Sequence, residues 1–162
     1  MADNLDDLDR SILTLLLRDG RLPASQIAEQ IGLSRPAVAE RIEKLERSGV
    51  IRGTTVVVDP AAFGGSVTAF ISARRNGRLD PKAERAFDSL GERDDVLEIH
   101  SVAGDDCYLM KVRTDSIASL NAIVSELNGA PLSMATRTTI VMATHCEKVG
   151  GVTLHQELGD EN

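Results

Sequence analysis

The segment from Leu22 to Leu45 constrains this chain more than any other, because its punctuation permits two short helices separated by a tight turn. Pro23 suits a first helical turn, where a missing N–H costs little, and Ile27 and Ile31 lie four apart on one face behind it. Gly32 tolerates the left-handed conformation that ends a helix, and Ser34 offers an oxygen to an exposed N–H of the next one. In that next helix Val38, Ile42 and Leu45 repeat at the spacing of one buried stripe, and Gly49 after Ser48 is a natural stop. Upstream, Leu5, Leu8, Ile12, Leu15 and Leu16 share a face, Asp6 and Asp9 resemble a capping box, and Gly20 closes the helix. Three helices with complementary apolar stripes predict a small self-contained unit over residues 1–53, with a helix-turn-helix at 24–43.

A glycine between two helices also describes an ordinary helical hairpin, and charge separates the two readings. Residues 20–53 carry six basic residues (Arg21, Arg35, Arg41, Lys44, Arg47, Arg52) against four acidic ones (Glu29, Glu40, Glu43, Glu46), whereas the whole chain has net charge −7. From residue 59 onward there are ten basic and sixteen acidic residues. The N-terminal helices are therefore expected to hold the only basic surface that meets phosphates. With Val38, Ile42 and Leu45 turned inward, Pro36, Glu40, Glu43, Lys44 and Arg47 fall on the outer face, and Arg35 and Arg41 on its shoulders. Glu40 with Lys44 and Glu43 with Arg47 are each four apart in the favourable order, so solvated pairing accounts for them equally well. Helix-turn-helix proteins read bases from the start of their second helix, which makes Ser34, Arg35, Pro36, Ala39 and Glu40 the candidates for base edges. Arg21, Arg41, Lys44 and Arg47 are the candidates for phosphate contact.

At 162 residues the chain has about a hundred beyond such a unit, enough for a second core. Residues 54–65 read as a linker, with a strand over Thr54–Val58, a turn at Asp59-Pro60 and a joint at Gly64-Gly65. Val67–Ala73 is predicted as a strand. Asp80 caps a helix that begins at Pro81, turns Ala83, Ala86, Phe87 and Leu90 inward, and ends at Gly91. Val96–Val102 and Cys107–Arg113 form a hairpin through Gly104-Asp105-Asp106. Asp115 caps a second helix with Ile117, Leu120, Val124 and Leu127 on its buried side, Gly129 stops it, and Ala135–Ala143 is the last strand. The order β-α-β-β-α-β over 66–143 is that of a ferredoxin-like sandwich, so the fold is α+β, with a C-terminal tail at 144–162.

That sandwich leaves one sheet face without helices. The strands place apolar residues on both sides, as in Ala69 and Ile71 against Phe70, or Met110 and Val112 against Leu109, so the open face is expected to be apolar and to pair with a second copy. Two recognition helices would then meet half-sites about one DNA turn apart. No apolar run approaches the roughly 20 residues needed to span a membrane, and the N-terminus is acidic rather than a basic leader, so a cytoplasmic protein is expected. Two cysteines, Cys107 and Cys146, do not make a disulfide framework. One Tyr and no Trp argue against stacking on single strands. His100, Cys107, His145 and Cys146 lack the spacing of a zinc site, and no phosphate loop, nucleophile elbow or paired catalytic motif occurs, so neither a metal, a cofactor nor an enzyme is expected.

Taken in register, Leu5-Asp6-Asp7-Leu8-Asp9, Ile12-Leu13, Asp19-Gly20-Arg21, Ile27-Ala28, Gly32-Leu33-Ser34, Val38, Arg41-Ile42, Leu45-Glu46, Gly49-Val50-Ile51 and Gly53 resemble the winged helix-turn-helix domain of the Lrp/AsnC (feast/famine) transcription regulators. Val102 to Met110 followed by Thr136 to Val141 is similar to the effector domain of that family, the RAM domain. The resemblance implies double-stranded DNA as partner, dimers that assemble into tetramers or octamers, and an amino acid or related small molecule held between dimers. The effector residues it implies are Gly104, Asp105, Asp106, Cys107, Tyr108, Thr136 and Thr138. A turn offers N–H groups to a carboxylate, and Thr136 and Thr138 point the same way along one strand. Equally, Asp105-Asp106 suits a solvated turn, and paired threonines suit any strand. Four departures stand out. Cys107 occupies a position where the family commonly has Asp, Thr54 replaces an aromatic residue, Pro23 replaces a more usual polar cap, and Pro131-Leu132-Ser133 lacks a glycine. The implied function is a ligand-responsive DNA-binding regulator, and the alternative is a nucleoid-type DNA organiser that needs no ligand.

Overall fold

The computed structural model describes residues 5–75 and 77–147. Contacts divide these into a unit of residues 5–57 and one of 58–147. In the first, the Asp6 carboxylate accepts the Asp9 N–H at 2.7 Å and opens α1 (Asp7–Arg18). The helix ends at Asp19, one residue before the expected Gly20. Pro23 precedes α2 (Ala24–Ile31) as its N-cap rather than joining its first turn. Gly32 at φ 71° turns the chain, and Ser34 caps α3 (Arg35–Arg47), accepting the Ala37 N–H at 3.4 Å. Ile12, Ile27, Ala28, Val38 and Leu45 form the buried centre, with Leu8, Ile31 and Ile42 only half-buried.

The strand predicted over Thr54–Val58 does not form. Val56, Val57 and Val58 are exposed, and no ladder among the described residues includes them. β-Branched side chains favour an extended backbone, but a strand also needs a neighbour to take its N–H and C=O groups, and this segment has none within the described chain. The predicted turn is a 3₁₀ turn, Pro60–Phe63, capped by Asp59.

The second unit runs β1 (Val67–Arg74), α4 (Pro81–Leu90), β2 (Val96–Ser101), β3 (Tyr108–Thr114), α5 (Ile117–Asn128) and β4 (Ala135–Ile140). The strands lie in the order β2-β3-β1-β4, every pair antiparallel, which is the topology of the expected sandwich. Ala69, Ile71 and Ala73 of β1 and Met110 and Val112 of β3 face the helices. They pack on Ala83 and Leu90 of α4 and on Leu120, Ile123 and Leu127 of α5, with Leu132 and Met134 closing one end. Each of the larger of these side chains, the valine, leucines, isoleucines and methionines, stabilises the fold by about 1.5–3 kcal/mol relative to exposure.

Two local expectations change here. Ser116, not Asp115, caps α5, accepting the Ser119 N–H at 3.1 Å, while the Asp115 carboxylate accepts the Ser119 hydroxyl at 2.5 Å. β4 ends at Ile140 rather than Ala143. The open sheet face is also less apolar than expected. Register sets Phe70 beside Lys111 and Thr139, and Ser72 beside Leu109 and Arg137. Lys111 and Arg113 both donate to the Glu147 carboxylate, so the apolar residues of this face are interleaved with paired charges. Of the predicted tail, 148–162 lies outside the described residues. No helix among the described residues is long and apolar enough to cross a membrane.

Candidate nucleic-acid interface and effector hairpin

The serine cap determines how α3 is presented. Because the Ser34 side chain serves an N–H of the first turn, the helix begins abruptly after the Gly32 turn, and its first two turns meet solvent. Ser34, Arg35, Pro36, Ala39 and Glu40 are all exposed, whereas Val38 is buried in the core of the unit and Ala37 is half-buried. Lys44 and Arg47 follow on the exposed side, and Arg21 is exposed in the loop before α2. Arg47 donates to Glu43 at 2.6 Å across one helical turn, as its spacing suggests. Glu40 and Lys44, spaced alike, form no ion pair among the described residues.

Arg41 is placed differently from the other basic residues. Its guanidinium donates to Asp6 and to Asp9, each at 2.7 Å, and so ties α3 to the start of α1. Asp9 is buried in the unit, so this contact satisfies a carboxylate that water barely reaches. The Asp6 carboxyl is held below its usual range, first by the Asp9 N–H and then by Arg41, and the Arg41 pKa is raised in turn, chiefly by Asp6. Reach along one helix face does not reveal such a clamp, because its acceptors sit 32 and 35 residues away.

In the second unit the hairpin between β2 and β3 closes with a Val102 N–H to Cys107 carbonyl bond at 3.0 Å, and Gly104 adopts φ 138°. That φ lies in a region that favours glycine. The Cys107 N–H donates to the Ala73 carbonyl at 3.0 Å, which brings the hairpin to the end of β1. β4 begins at the same end, with Thr136 opposite Ala73 and Thr138 opposite Ile71. The predicted effector residues therefore gather at one end of the sheet, but on both of its faces. Thr136, Thr138 and Tyr108 share the helix-bearing face, as their register partners Ala73 and Ile71 require. The Thr136 hydroxyl donates to Asn128 of α5 at 2.8 Å, and the Tyr108 ring packs on Phe87 of α4 at a centroid distance of 4.5 Å. Asp106 instead accepts from Arg137 at 3.2 Å, Asp105 is exposed, and the Cys107 thiol donates to the Arg75 carbonyl at 3.7 Å.

Asn128, Arg137 and Arg75 thus adjoin the hairpin end without having been singled out in the sequence. Arg137 lies between the two threonines, which was its one available signal. A cleft of about 700 Å³ lies elsewhere, lined among others by Phe63, Asp94, Leu97, Arg113 and Asp115. It is at the end of β3 remote from Tyr108, and it includes none of the predicted effector residues.

Comparison with known proteins bears on both units. A family described as "Winged helix-turn-helix DNA-binding" matches residues 5–52, and one described as "Lrp/AsnC ligand binding domain" matches residues 68–150. The chain is 34% identical to the HTH-type transcriptional regulator FL11 of Pyrococcus abyssi, over 91% of this chain and 95% of that protein. It is similar to the crystal structure of the leucine response regulatory protein LrpA of Mycobacterium tuberculosis, with a TM-score of 0.78 and 32% identity over 89% of this chain and 97% of that one. A feast or famine regulatory protein from M. tuberculosis complexed with L-methionine superposes with a TM-score of 0.79 at 30% identity, covering 90% and 97% of the two chains. The chain belongs to the Lrp/AsnC family of transcriptional regulators, joining a winged helix-turn-helix DNA-binding region to an Lrp/AsnC ligand-binding domain.

Proposed function

We propose that this regulator reads operator DNA with the start of α3 and that an amino acid bound at the hairpin end of the second unit alters how it does so. The observation that carries the DNA half is the exposed face Ser34, Arg35, Pro36, Ala39 and Glu40, set at the helix N-terminus from which such proteins contact bases. Arg21, Lys44 and Arg47 supply phosphate contacts. Arg41 is left out of that set, because Asp6 and Asp9 already satisfy its guanidinium. The regions act as a DNA-binding domain over 1–53, a linker over 54–65 and an effector and assembly domain over 66–143, in the cytoplasm.

The working form is an assembly of copies. Phe70 on the open sheet and Leu97 at the irregularity in β2, together with the unpaired valines of 56–58, are exposed apolar surface that a second copy would cover. Dimers present two copies of α3, and tetramers or octamers bring hairpin ends together. Gly104, Asp105, Asp106, Cys107, Tyr108, Thr136 and Thr138 then form the effector site between copies. The placement of these residues on two faces of one sheet end supports a site completed by another subunit. The M. tuberculosis relative complexed with L-methionine supports an amino acid as the ligand class. Coupling requires the ligand to favour one arrangement of DNA-binding heads over another.

The test is a thermal-shift screen of the twenty amino acids, followed by DNA titration with and without each hit. The reading expects at least one amino acid to raise Tm and to change DNA affinity or stoichiometry. If none does while DNA binding persists, the protein is a ligand-independent DNA organiser.

A further inference from the structure

The second unit is acidic as a whole, yet its basic residues are not evenly spread. Of the nine in residues 58–147, four are engaged by carboxylates. Arg93 pairs with Asp95 at 2.7 Å and Glu126 at 2.9 Å, Lys111 and Arg113 pair with Glu147, and Arg137 pairs with Asp106 at 3.2 Å. The other five, Arg74, Arg75, Arg78, Lys82 and Arg85, fall within twelve residues running from the end of β1 into α4. None of them is in an ion pair with another described residue. Summation over everything beyond residue 59 conceals this cluster, and so the expectation that only the N-terminal helices offer a basic surface does not hold.

Only two acidic residues share the stretch, Asp80 and Glu84, which leaves a net charge of +3 over twelve residues. Residues 20–53, which contain the helix-turn-helix, reach +2 over thirty-four. Asp80 is committed to capping α4. Its carboxylate accepts the Lys82 and Ala83 N–H groups, each at 2.9 Å, and the Ala83 bond is the main reason its pKa is lowered. Arg74, Arg78, Lys82 and Arg85 are exposed. Arg75 is half-buried, and its guanidinium lies 3.4 Å from the Pro131 carbonyl. Lys82 and Arg85 are three apart on one face of α4, near the positive end of that helix's dipole.

Unpaired like charges repel one another, and a polyanion relieves that repulsion by taking the place of small counterions. We infer that Arg74, Arg78, Lys82 and Arg85 form a second phosphate-contacting surface, which engages the backbone of duplex DNA flanking the bases read by α3. This rests on the DNA-binding reading above. The charge density favours DNA over the chain's own acidic end, where Glu157, Asp160 and Glu161 are the available carboxylates, because a duplex carries about one charge per 1.7 Å of axis. The contact reads no sequence. It adds affinity only where the duplex extends far enough beyond the operator to reach it, and it gives the ligand-binding unit a direct hold on the nucleic acid.

The test uses the full-length protein and two duplexes, one limited to the operator and one extended by about two helical turns, or roughly 20 base pairs, on each side. Arg74→Gln/Arg78→Gln/Lys82→Gln/Arg85→Gln is compared with the unaltered chain, leaving Arg75 in place because it contacts Pro131. On the long duplex the variant should lose salt dependence, by up to about 0.9 in the slope of log K against log salt for each phosphate contact removed. On the short duplex its affinity and slope should be unchanged. Arg78→Glu/Lys82→Glu, which changes the net charge by the same four units, is a second variant and should show the same length dependence to a comparable degree. Equal slopes for variant and unaltered protein on the long duplex would overturn the inference. So would an effect reproduced by deleting residues 149–162 from the unaltered chain, since the cluster would then serve the acidic end. If the unaltered protein bound neither duplex, the DNA-binding reading itself would fail, a result distinct from a length-independent variant.

Discussion

Arg35→Ala and Arg47→Ala should separate base reading from phosphate contact within one helix. They lie twelve residues apart on α3, about 18 Å along its axis, so each reports on its own end. Arg35 is at the first helical position, exposed, and in no ion pair with another described residue. A bidentate contact to a guanine edge from such a position is worth about 1–3 kcal/mol of discrimination, or roughly 5- to 150-fold. Arg47 is held by Glu43 at 2.6 Å, but both side chains are 64% exposed, and an exposed pair one turn apart contributes only about 0.3–0.5 kcal/mol. Neutralising one phosphate changes log K by about 0.9 times log salt, which at about 0.15 M is roughly fivefold, so DNA outcompetes Glu43.

Arg47→Ala should therefore weaken operator and scrambled DNA alike by about fivefold per copy, with the salt slope lower by about 0.9. Arg35→Ala should leave the slope and the scrambled-DNA affinity in place and reduce the ratio between operator and scrambled affinities. Fluorescence anisotropy at several salt concentrations, with an operator selected from random sequence by the unaltered protein, measures all four quantities. An unchanged operator-to-scrambled ratio in Arg35→Ala would refute the assignment of base reading to the start of α3.

Arg41→Ala should lower the Tm of the first unit, because the buried Asp9 loses its partner, while the salt slope of DNA binding stays as it was; a reduced slope would return Arg41 to the phosphate set. Gly32→Ala should cost about 1 kcal/mol in urea unfolding, since φ 71° strains any L side chain even though no atom lies within 4 Å of the added carbon. Arg93 holds the Asp95 carboxyl below its ordinary 3.8, so that group's contribution to stability is complete above that value and is lost as pH falls through the depressed folded pKa. Arg93→Gln should therefore flatten the acid limb of a stability-against-pH curve, and an unchanged limb would show that the pair does not contribute.

Where sequence reasoning succeeded, the cause was local. Asp6, Ser34 and Asp80 cap helices because a short polar side chain satisfies N–H groups two or three residues on, and Gly32 turns the chain because its own φ must be positive. Thr54–Val58 has the composition of a strand but no partner within the described chain, so its pattern misled. Ser116 displaced Asp115 as the cap of α5 because β3 runs through Thr114, one residue further than expected, which shifts the start of the helix.

At the candidate sites, what the sequence by itself determined was which residues are presented. The stripe of Val38, Ile42 and Leu45 dictates that Pro36, Glu40, Lys44 and Arg47 face outward, and strand alternation dictates that Thr136 and Thr138 share a side. Only the tertiary structure decided which charges are already spent. Arg41 differs from Arg47 because Asp6 and Asp9 close on it from another helix. The same holds in the second unit, where carboxylates neutralise Arg93, Lys111, Arg113 and Arg137, and the cluster from Arg74 to Arg85 is left without such partners among the described residues. Helical and strand periods act over a few residues and can be counted along the chain, whereas an ion pair depends on distance in space, which the chain acquires only when its elements pack.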